Sequence, residues 1–119
     1  MRAATTIKLP TYSCEIMVKV VDSVKIDAEK IYKKYSINEQ FGDEAEGAIV
    51  MPGFGKYYLL LSKDFLTHNT IAHEVFHVVV RVTEDRGIVD EEAQAWLAGH
   101  ISSVVYKFLQ KKKLTIKHG

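Results

Sequence analysis

The segment A-H-E-V-F-H-V at positions 72–78 constrains this chain more than any other feature of its sequence. It contains the pattern His-Glu-x-x-His, formed by His73, Glu74 and His77. Residues four apart lie on one face of an α-helix, about 6 Å from each other, so the two imidazoles can converge on one metal ion. Zinc suits such a pair because it takes nitrogen ligands readily and has no rigid geometric demand. The pattern therefore predicts a helix that holds Zn2+.

Glu74 directly follows the first histidine, so on a helix it lies beside the metal and does not point at it. A carboxylate in that position can hold and deprotonate a water on the metal, which is the chemistry of zinc-dependent peptide-bond hydrolysis. The alternative is a helix whose two histidines hydrogen-bond within the core. The neighbouring side chains are apolar on nearly every side, which predicts a buried helix, and unpaired histidines would be costly there. These neighbours are Ile71, Ala72, Val75, Phe76, Val78, Val79 and Val80.

Composition and charge narrow the class of protein. Sixteen Lys and Arg residues against fifteen Asp and Glu leave a net charge of +1, so we expect no nucleic-acid binder that relies on bulk positive charge. Cys14 is the only cysteine, which excludes an intrachain disulfide and a cysteine-based zinc knuckle. No secretion signal is visible, and apolar runs of about five residues are too short to span a bilayer. We therefore expect no membrane partner, and a location in the cytoplasm of the cell that makes the chain or in a particle assembled there.

The strand and turn patterns predict the fold class. A chain of 119 residues has room for one hydrophobic core, so we expect a single domain over residues 1–119. Alternation of apolar and polar residues over 12–21 predicts a half-buried strand. Two apolar runs, 48–51 and 57–61, flank P-G-F-G and predict a β-hairpin. We expect an α+β fold in which a small, mostly antiparallel sheet of three or four strands packs on the motif helix.

Caps and apolar spacing predict three helices. They lie near 24–35, 68–84 and 91–110, with Ser23, Thr67 and Asp90 as their N-caps. The β-branched residues at 78–82 lower the helix propensity of the second helix, which is still expected because burial regularly overrides propensity. The last helix ends in Lys107 and 111–113, where the helix dipole favours cations. The same lysines would alternatively form a patch for nucleic acid or lipid.

A zinc ion held by two histidines needs at least one more protein ligand. Glu84 and Asp85 lie about 10 Å or more from His77 along the same helix, so they cannot reach the metal. The ligand is therefore expected from the chain beyond this helix, where Asp90, Glu91, Glu92 and His100 are available.

Glu92 is the preferred third ligand because it shares a helix face with small residues, which allow two helices to approach closely. This small-residue stripe consists of Ala95, Gly99 and Ser103. Glu91, which borders Ala95, Ala98 and Ser102, is the first alternative, and His100 is the second.

The combined pattern resembles a known family. His73-Glu74-x-x-His77, followed by Glu92-Ala93 on a second helix, resembles the gluzincin branch of the zincin metallopeptidases. The stretch E-E-A-Q-A-W at 91–96 is similar to the Glu-Ala-Asn-x-aromatic segment of the ImmA/IrrE-type peptidases and to small His-Glu-x-x-His proteins encoded in phage genomes. The likeness covers residues 56–105, the expected metal-binding kernel. It implies a zincin-like fold and a zinc ion held by both histidines and the glutamate. It also implies that the strand at 57–61 is the edge strand along which a peptide substrate lies.

The chain also departs from that family. Glu92 follows His77 by only 15 positions, a shorter gap than in the larger gluzincins. Neither a Met-turn nor a third histidine of the metzincin type follows the motif. Trp96 stands four residues after Glu92, where larger relatives carry an Asn or Asp that orients a zinc histidine. The partner that would orient the metal ligands is therefore unassigned.

Two hypotheses for function follow. The first is a zinc metallopeptidase acting on a peptide or protein substrate. The second is a zincin-fold structural or assembly protein, for example of a phage particle, with a structural or vestigial metal site. The second gains support from an apolar face on the last helix that either the 24–35 helix or the N-terminal strand covers, or that contacts a partner or another copy of the chain. That face comprises Leu97, Ile101, Val104, Val105 and Phe108. Trp96 is expected in the core.

Overall fold

Four strands, three α-helices and two short 3-10 turns form the regular structure of residues 3–119, the part of the chain that the computed structural model describes. The strands are β1 (Ala3–Leu9), β2 (Cys14–Val21), β3 (Gly47–Gly53) and β4 (Lys56–Ser62), and the helices are α1 (Val24–Lys34), α2 (His68–Glu84) and α3 (Glu91–Lys111). The α+β class and the three predicted helices are confirmed, with each helix end within one residue of its predicted position. The β1 strand was not predicted.

The sheet has the strand order β1-β2-β4-β3. The β1–β2 and β3–β4 pairs are antiparallel and the β2–β4 pair is parallel, so the sheet is mixed and mostly antiparallel, as predicted. The prediction that the strand at 57–61 is an edge strand is wrong. This strand, β4, lies between β2 and β3, and its run Y-Y-L-L-L is buried on both faces, as is typical of a central strand. The edge strand of the hairpin is β3.

Both faces of the sheet are covered by helices. Helices α2 and α3 cover one face, where Ile16, Val18 and Val20 of β2 join the larger core. Helix α1 covers the other face and buries Val24, Ala28 and Ile31 there. The predicted alternation of β2 is confirmed, but the face expected to meet solvent is covered by α1. That α1-covered face of β2 carries Lys19, whose Nζ lies 3.7 Å from Oδ1 of the buried Asp27.

The apolar face of α3 is covered by the chain itself. Leu97, Ile101 and Val105 are fully buried in the same core as Ile7 and Leu9 of β1. The expectation that the 24–35 helix covers this face is wrong, because α1 lies across the sheet, and the covering elements include β1, a strand that was not predicted. The expectation that Trp96 lies in the core is wrong, since its side chain is 61% exposed.

Helix starts follow the predicted caps. Ser23 Oγ accepts a hydrogen bond from the backbone N–H of Ile26, and Thr67 Oγ1 accepts one from that of Thr70. Asp90 Oδ1 accepts one from the backbone N–H of Glu92 at 3.2 Å. Between residues 3 and 119, no helix is long and apolar enough to cross a bilayer.

Candidate metal centre

Helix α2 carries the His-Glu-x-x-His motif on its outer side. Its inner side packs on the sheet through Ile71, Val75, Val78 and Val82, which are spaced at three and four residues and are all buried. The expectation that this helix is buried on nearly every side is wrong, because Phe76 is 65% exposed and the His73 side chain is 62% exposed. Helix α3 covers only one flank of α2, so the motif lies at the surface.

The two histidines converge on one point. The Nε2 atoms of His73 and His77 are 3.0 Å apart, and the ring planes are inclined by 78°. Two nitrogens that bind one tetrahedral zinc ion at the usual bond lengths lie about 3.3 Å apart, so the pair fits two ligands of one ion. The same distance suits a hydrogen bond in which one neutral imidazole donates to the other. The helical spacing thus produces the convergence that the motif predicts.

Glu74 lies beside the pair and under the sheet edge. Its Oε2 atom is 3.9 Å from His73 Nε2, and its side chain is only 8% exposed. Burial raises the pKa of the Glu74 carboxyl, and the nearby His73 partly opposes that shift. A carboxylate whose pKa is raised toward neutrality is a better proton acceptor and donor at physiological pH than an exposed one.

Gly47 makes room for Glu74, a role that the sequence interpretation did not assign. It is the first residue of β3, and a Cβ atom placed there would lie 2.6 Å from Cγ and 3.1 Å from Oε2 of Glu74. A glycine within a strand often marks such a close approach, so the signal was present in the sequence. The preceding residue, Glu46, accepts a hydrogen bond from Thr70 Oγ1 and so ties the entry to β3 to α2.

A cleft follows β3 along the motif. Two adjoining cavities of about 270 and 320 Å3 share Gly47, His73 and Glu74 in their walls. The other lining residues are Glu46, Asn69 and Thr70 at one end and Ala48, Ile49, Met51, His77 and Arg81 at the other. Within residues 3–119, β3 pairs with β4 alone, so its second main-chain edge is open to an added strand.

The structure does not bring Glu92 to the histidine pair. Among the described residues, no three His, Cys, Asp or Glu side chains are grouped so that they could hold a metal ion. Glu92 is exposed on the same side of α3 as Trp96, and a Cβ atom placed at Gly99 on that side would meet nothing within 4 Å. The expectation that Ala95, Gly99 and Ser103 face the motif helix is therefore wrong, because α3 turns its large apolar residues inward and this stripe outward.

The flank of α3 that faces α2 carries the alternative ligand. Tyr106 on this flank contacts α2 through its hydroxyl, which lies 3.0 Å from His68 Nδ1, and Ser102, Ala98 and Glu91 precede it at helical spacing. Glu91 is thus on the side of α3 nearer to α2, but it is exposed at the first turn. His100 stacks on Trp96 with the ring centroids 5.1 Å apart, on the flank away from Tyr106. Two nitrogens and a carboxylate base fit a zinc site, whereas residues 3–119 place no third protein ligand beside the pair.

A larger cavity, of about 740 Å3, lies elsewhere, at the β3–β4 turn and the end of α2. Arg86 Nη1 donates to the hydroxyl of Tyr57 at 2.8 Å, and that hydroxyl donates to Asp85 Oδ2. Arg86 Nε also donates to the carbonyl of Tyr12. These polar groups satisfy one another and join the end of α2 to the sheet, so we assign them a structural role.

No protein-family model, curated protein or solved structure matches this chain. The likeness to the zincin peptidases therefore rests on the residues at 73–77 and 91–96, and it stays a prediction.

Proposed function

We propose that this chain is a minimal zinc-dependent peptidase in which His73 and His77 hold the metal and Glu74 is the general base. The observation that supports the proposal is the convergence of the two Nε2 atoms to 3.0 Å beside a carboxylate that is almost fully buried. A structural histidine pair needs no buried carboxylate next to it, whereas a hydrolytic site does.

In the proposed hydrolysis, the bound metal and Glu74 would have separate roles. A bound zinc ion would supply a Lewis acid for the scissile carbonyl and acidify a water molecule. Glu74 takes the proton from the attacking water and returns it to the leaving amine. Its raised pKa suits both transfers, because the group has to accept a proton and release it within one turnover.

The proposed substrate is a peptide in extended conformation that lies along β3. The open edge of this strand offers main-chain groups to such a peptide, and the cleft beside it passes the histidine pair. Gly47 lacks a side chain where the strand crosses Glu74, so no Cβ atom crowds the carboxyl in this part of the cleft.

Glu92 remains the proposed third ligand, with Glu91 as the alternative. Both are exposed in the first turn of α3, which Asp90 caps through a single side-chain hydrogen bond. A rotation of that turn toward α2 on metal binding would bring one of the two carboxylates nearer to the histidine pair.

A second candidate function is the zincin-fold structural or assembly protein with a vestigial metal site. The lack of a third ligand beside the pair within residues 3–119 favours it. Its earlier support, an apolar face of α3 free for a partner, is weakened because Leu97, Ile101, Val105 and Phe108 are buried and only Val104 is partly exposed.

Metal analysis and turnover separate the two candidates. Mass spectrometry on protein purified without added metal should find about one zinc per chain, and none in His77→Ala. Glu74→Gln should keep the zinc and lose cleavage of an unstructured protein substrate such as casein. Cleavage by Glu74→Gln at the rate of the unmodified protein would remove Glu74 from the base role. Bound zinc without any cleavage by the unmodified protein would favour the assembly candidate.

A further inference from the structure

The segment near the C-terminus carries positive charge that no acidic residue of the same segment offsets. Residues 93–119 contain five lysines and neither aspartate nor glutamate. The first strand and the turn after it, residues 3–13, likewise contain Lys8 and no carboxylate. Because the net charge of the whole chain is only +1, the acidic residues are concentrated elsewhere. The fold brings the two acid-free segments together, since α3 packs beside β1.

A groove lies between β1 and the C-terminal half of α3. Its volume is about 390 Å3, and its walls combine apolar side chains with lysines. They are Ala4, Thr5, Val104, Lys107, Phe108, Lys111 and Lys112. Across residues 3–119, no carboxylate forms an ion pair with Lys107, Lys111 or Lys112. The helix dipole favours cations in the last turn of α3, which contains Lys111, whereas Lys107 lies one turn earlier, so the dipole explains it less well than the sequence analysis assumed.

The strand beside this groove is an edge strand. Within the described part of the chain, β1 pairs only with β2, so its second main-chain edge is open. An extended peptide can add to such an edge by main-chain hydrogen bonds, with alternate side chains directed to the same face. Every second side chain of an added strand would then face the groove.

The same flank of α3 continues toward the start of the helix. Val104, His100 and Trp96 precede Lys107 at spacings of three or four residues, so they form one line along the helix. The Trp96 ring stacks on His100 and is 61% exposed, although it is the largest apolar side chain of the helix. Exposed tryptophans are enriched among the residues that contribute most to protein–protein binding.

We propose that the open edge of β1, together with this flank of α3, binds an acidic segment of another protein in extended conformation. The carboxylates of its groove-facing residues would pair with Lys107, Lys111 and Lys112, and the aliphatic stems of the same residues would contact Val104 and Phe108. A peptide suits this surface better than a nucleic acid, because a strand edge offers main-chain hydrogen bonds and Trp96 is the only tryptophan available for base stacking. This inference does not depend on the proposed peptidase activity.

Fluorescence anisotropy with designed peptides tests the proposal. The probe is a labelled peptide of about ten alternating Glu and Val residues, the length of a long strand. It should bind, and its affinity should fall as the salt concentration rises. A Lys–Val peptide should not bind, and a Glu–Val peptide with alternate amides N-methylated should bind about tenfold more weakly because it cannot complete the strand ladder. If the N-methylated peptide bound as tightly as the Glu–Val probe, the peptide would not be adding to β1 as a strand. If oligothymidine or anionic phosphatidylserine vesicles bound as tightly as the probe, the proposal that this surface prefers a peptide would be overturned.

Substitutions on α3 locate the surface. Lys107→Gln with Lys111→Gln should weaken the acidic probe about tenfold, and Trp96→Ala should weaken it further. Lys33→Gln with Lys34→Gln is the matched control, because these exposed lysines lie on α1, across the sheet. Circular dichroism verifies that each variant is folded. Unchanged affinity in the α3 double variant would overturn the proposal. Self-association of the unmodified chain that the double variant abolishes would assign the surface to a second copy instead.

Discussion

Helices α2 and α3 have the same kind of cap and buried stripe, but the sequence predicted the arrangement of exposed residues correctly only on α2. Each begins with a side-chain N-cap and buries a stripe of aliphatic residues in the same core. On α2, the arrangement of His73 and His77 depends on their spacing along one helix, and the two nitrogens meet as expected. On α3, the role of Glu92 depends on which side of the helix faces α2. Spacing fixes the geometry within a helix, whereas rotation of the helix is decided by packing.

The rotation of α3 follows from the size of its side chains. The helix has two candidate inner faces, one with Leu97, Ile101 and Val105 and one with Gly99 and Ser103. Burying the aliphatic face removes far more apolar area from water, at about 25 cal/mol per Å2, than burying the small residues would. The small-residue stripe therefore faces solvent, and Glu92 faces solvent with it.

The largest expected effect tests this rotation directly. Leu97→Ala should lower the free energy of unfolding by about 3 kcal/mol, because it leaves a cavity in a fully buried site. Trp96→Ala, one position away, should change it by about 0.5 kcal/mol or less, because the ring is mostly exposed. Urea denaturation measures both. A larger loss for Trp96→Ala would mean that α3 is rotated by about one position and that Glu92 is turned toward the core side.

The third ligand is the next test. Glu92→Ala should weaken zinc binding about 100-fold, as expected for the loss of one protein ligand, whereas Glu91→Ala should change it by about threefold or less. Competition with a chelating dye measures both affinities. A larger effect of Glu91→Ala would transfer the role to the flank that faces α2. No effect of either would mean that zinc is held by the two histidines alone.

Much of the fold was predictable because it depends on local patterns. The three N-caps, the hairpin and the alternation of β2 are each encoded within a few residues of one another. β1 was missed, although Ile7 and Leu9 alternate with polar neighbours and are buried. β4 was placed at the wrong position in the sheet, because pairing partners are not local, although its unbroken apolar run indicates a central strand. Gly47 was missed because its role depends on contact with a side chain 27 positions away.

Alanine at Gly47, beside Glu74, and alanine at Gly99, on α3, should change the free energy of unfolding in opposite directions. Gly47→Ala should destabilise the fold by about 2 kcal/mol and reduce turnover, because the added methyl group overlaps Glu74. Gly99→Ala should stabilise it by about 1 kcal/mol, because alanine favours the helix and meets no neighbour there. Thermal unfolding of the two variants measures both changes in stability. Destabilisation by Gly99→Ala would show that the small-residue stripe of α3 is packed after all, and would restore the expected approach of Glu92 to α2.

The smallest expected effect concerns the caps that begin the two helices. Thr67→Ala and Asp90→Ala should each lower the free energy of unfolding by about 1 kcal/mol, because each removes a side-chain acceptor for a backbone N–H. Thr67→Ser and Asp90→Asn, which keep an acceptor, are the matched controls.

The two alanine variants should differ in their zinc affinity. The Thr67 cap lies six residues before His73, so its loss should leave the geometry of the pair and the zinc affinity unchanged. The Asp90 cap holds the turn that carries Glu91 and Glu92, so its loss should alter zinc affinity several-fold. Equal zinc affinities in the two alanine variants would mean that the first turn of α3 takes no part in the site.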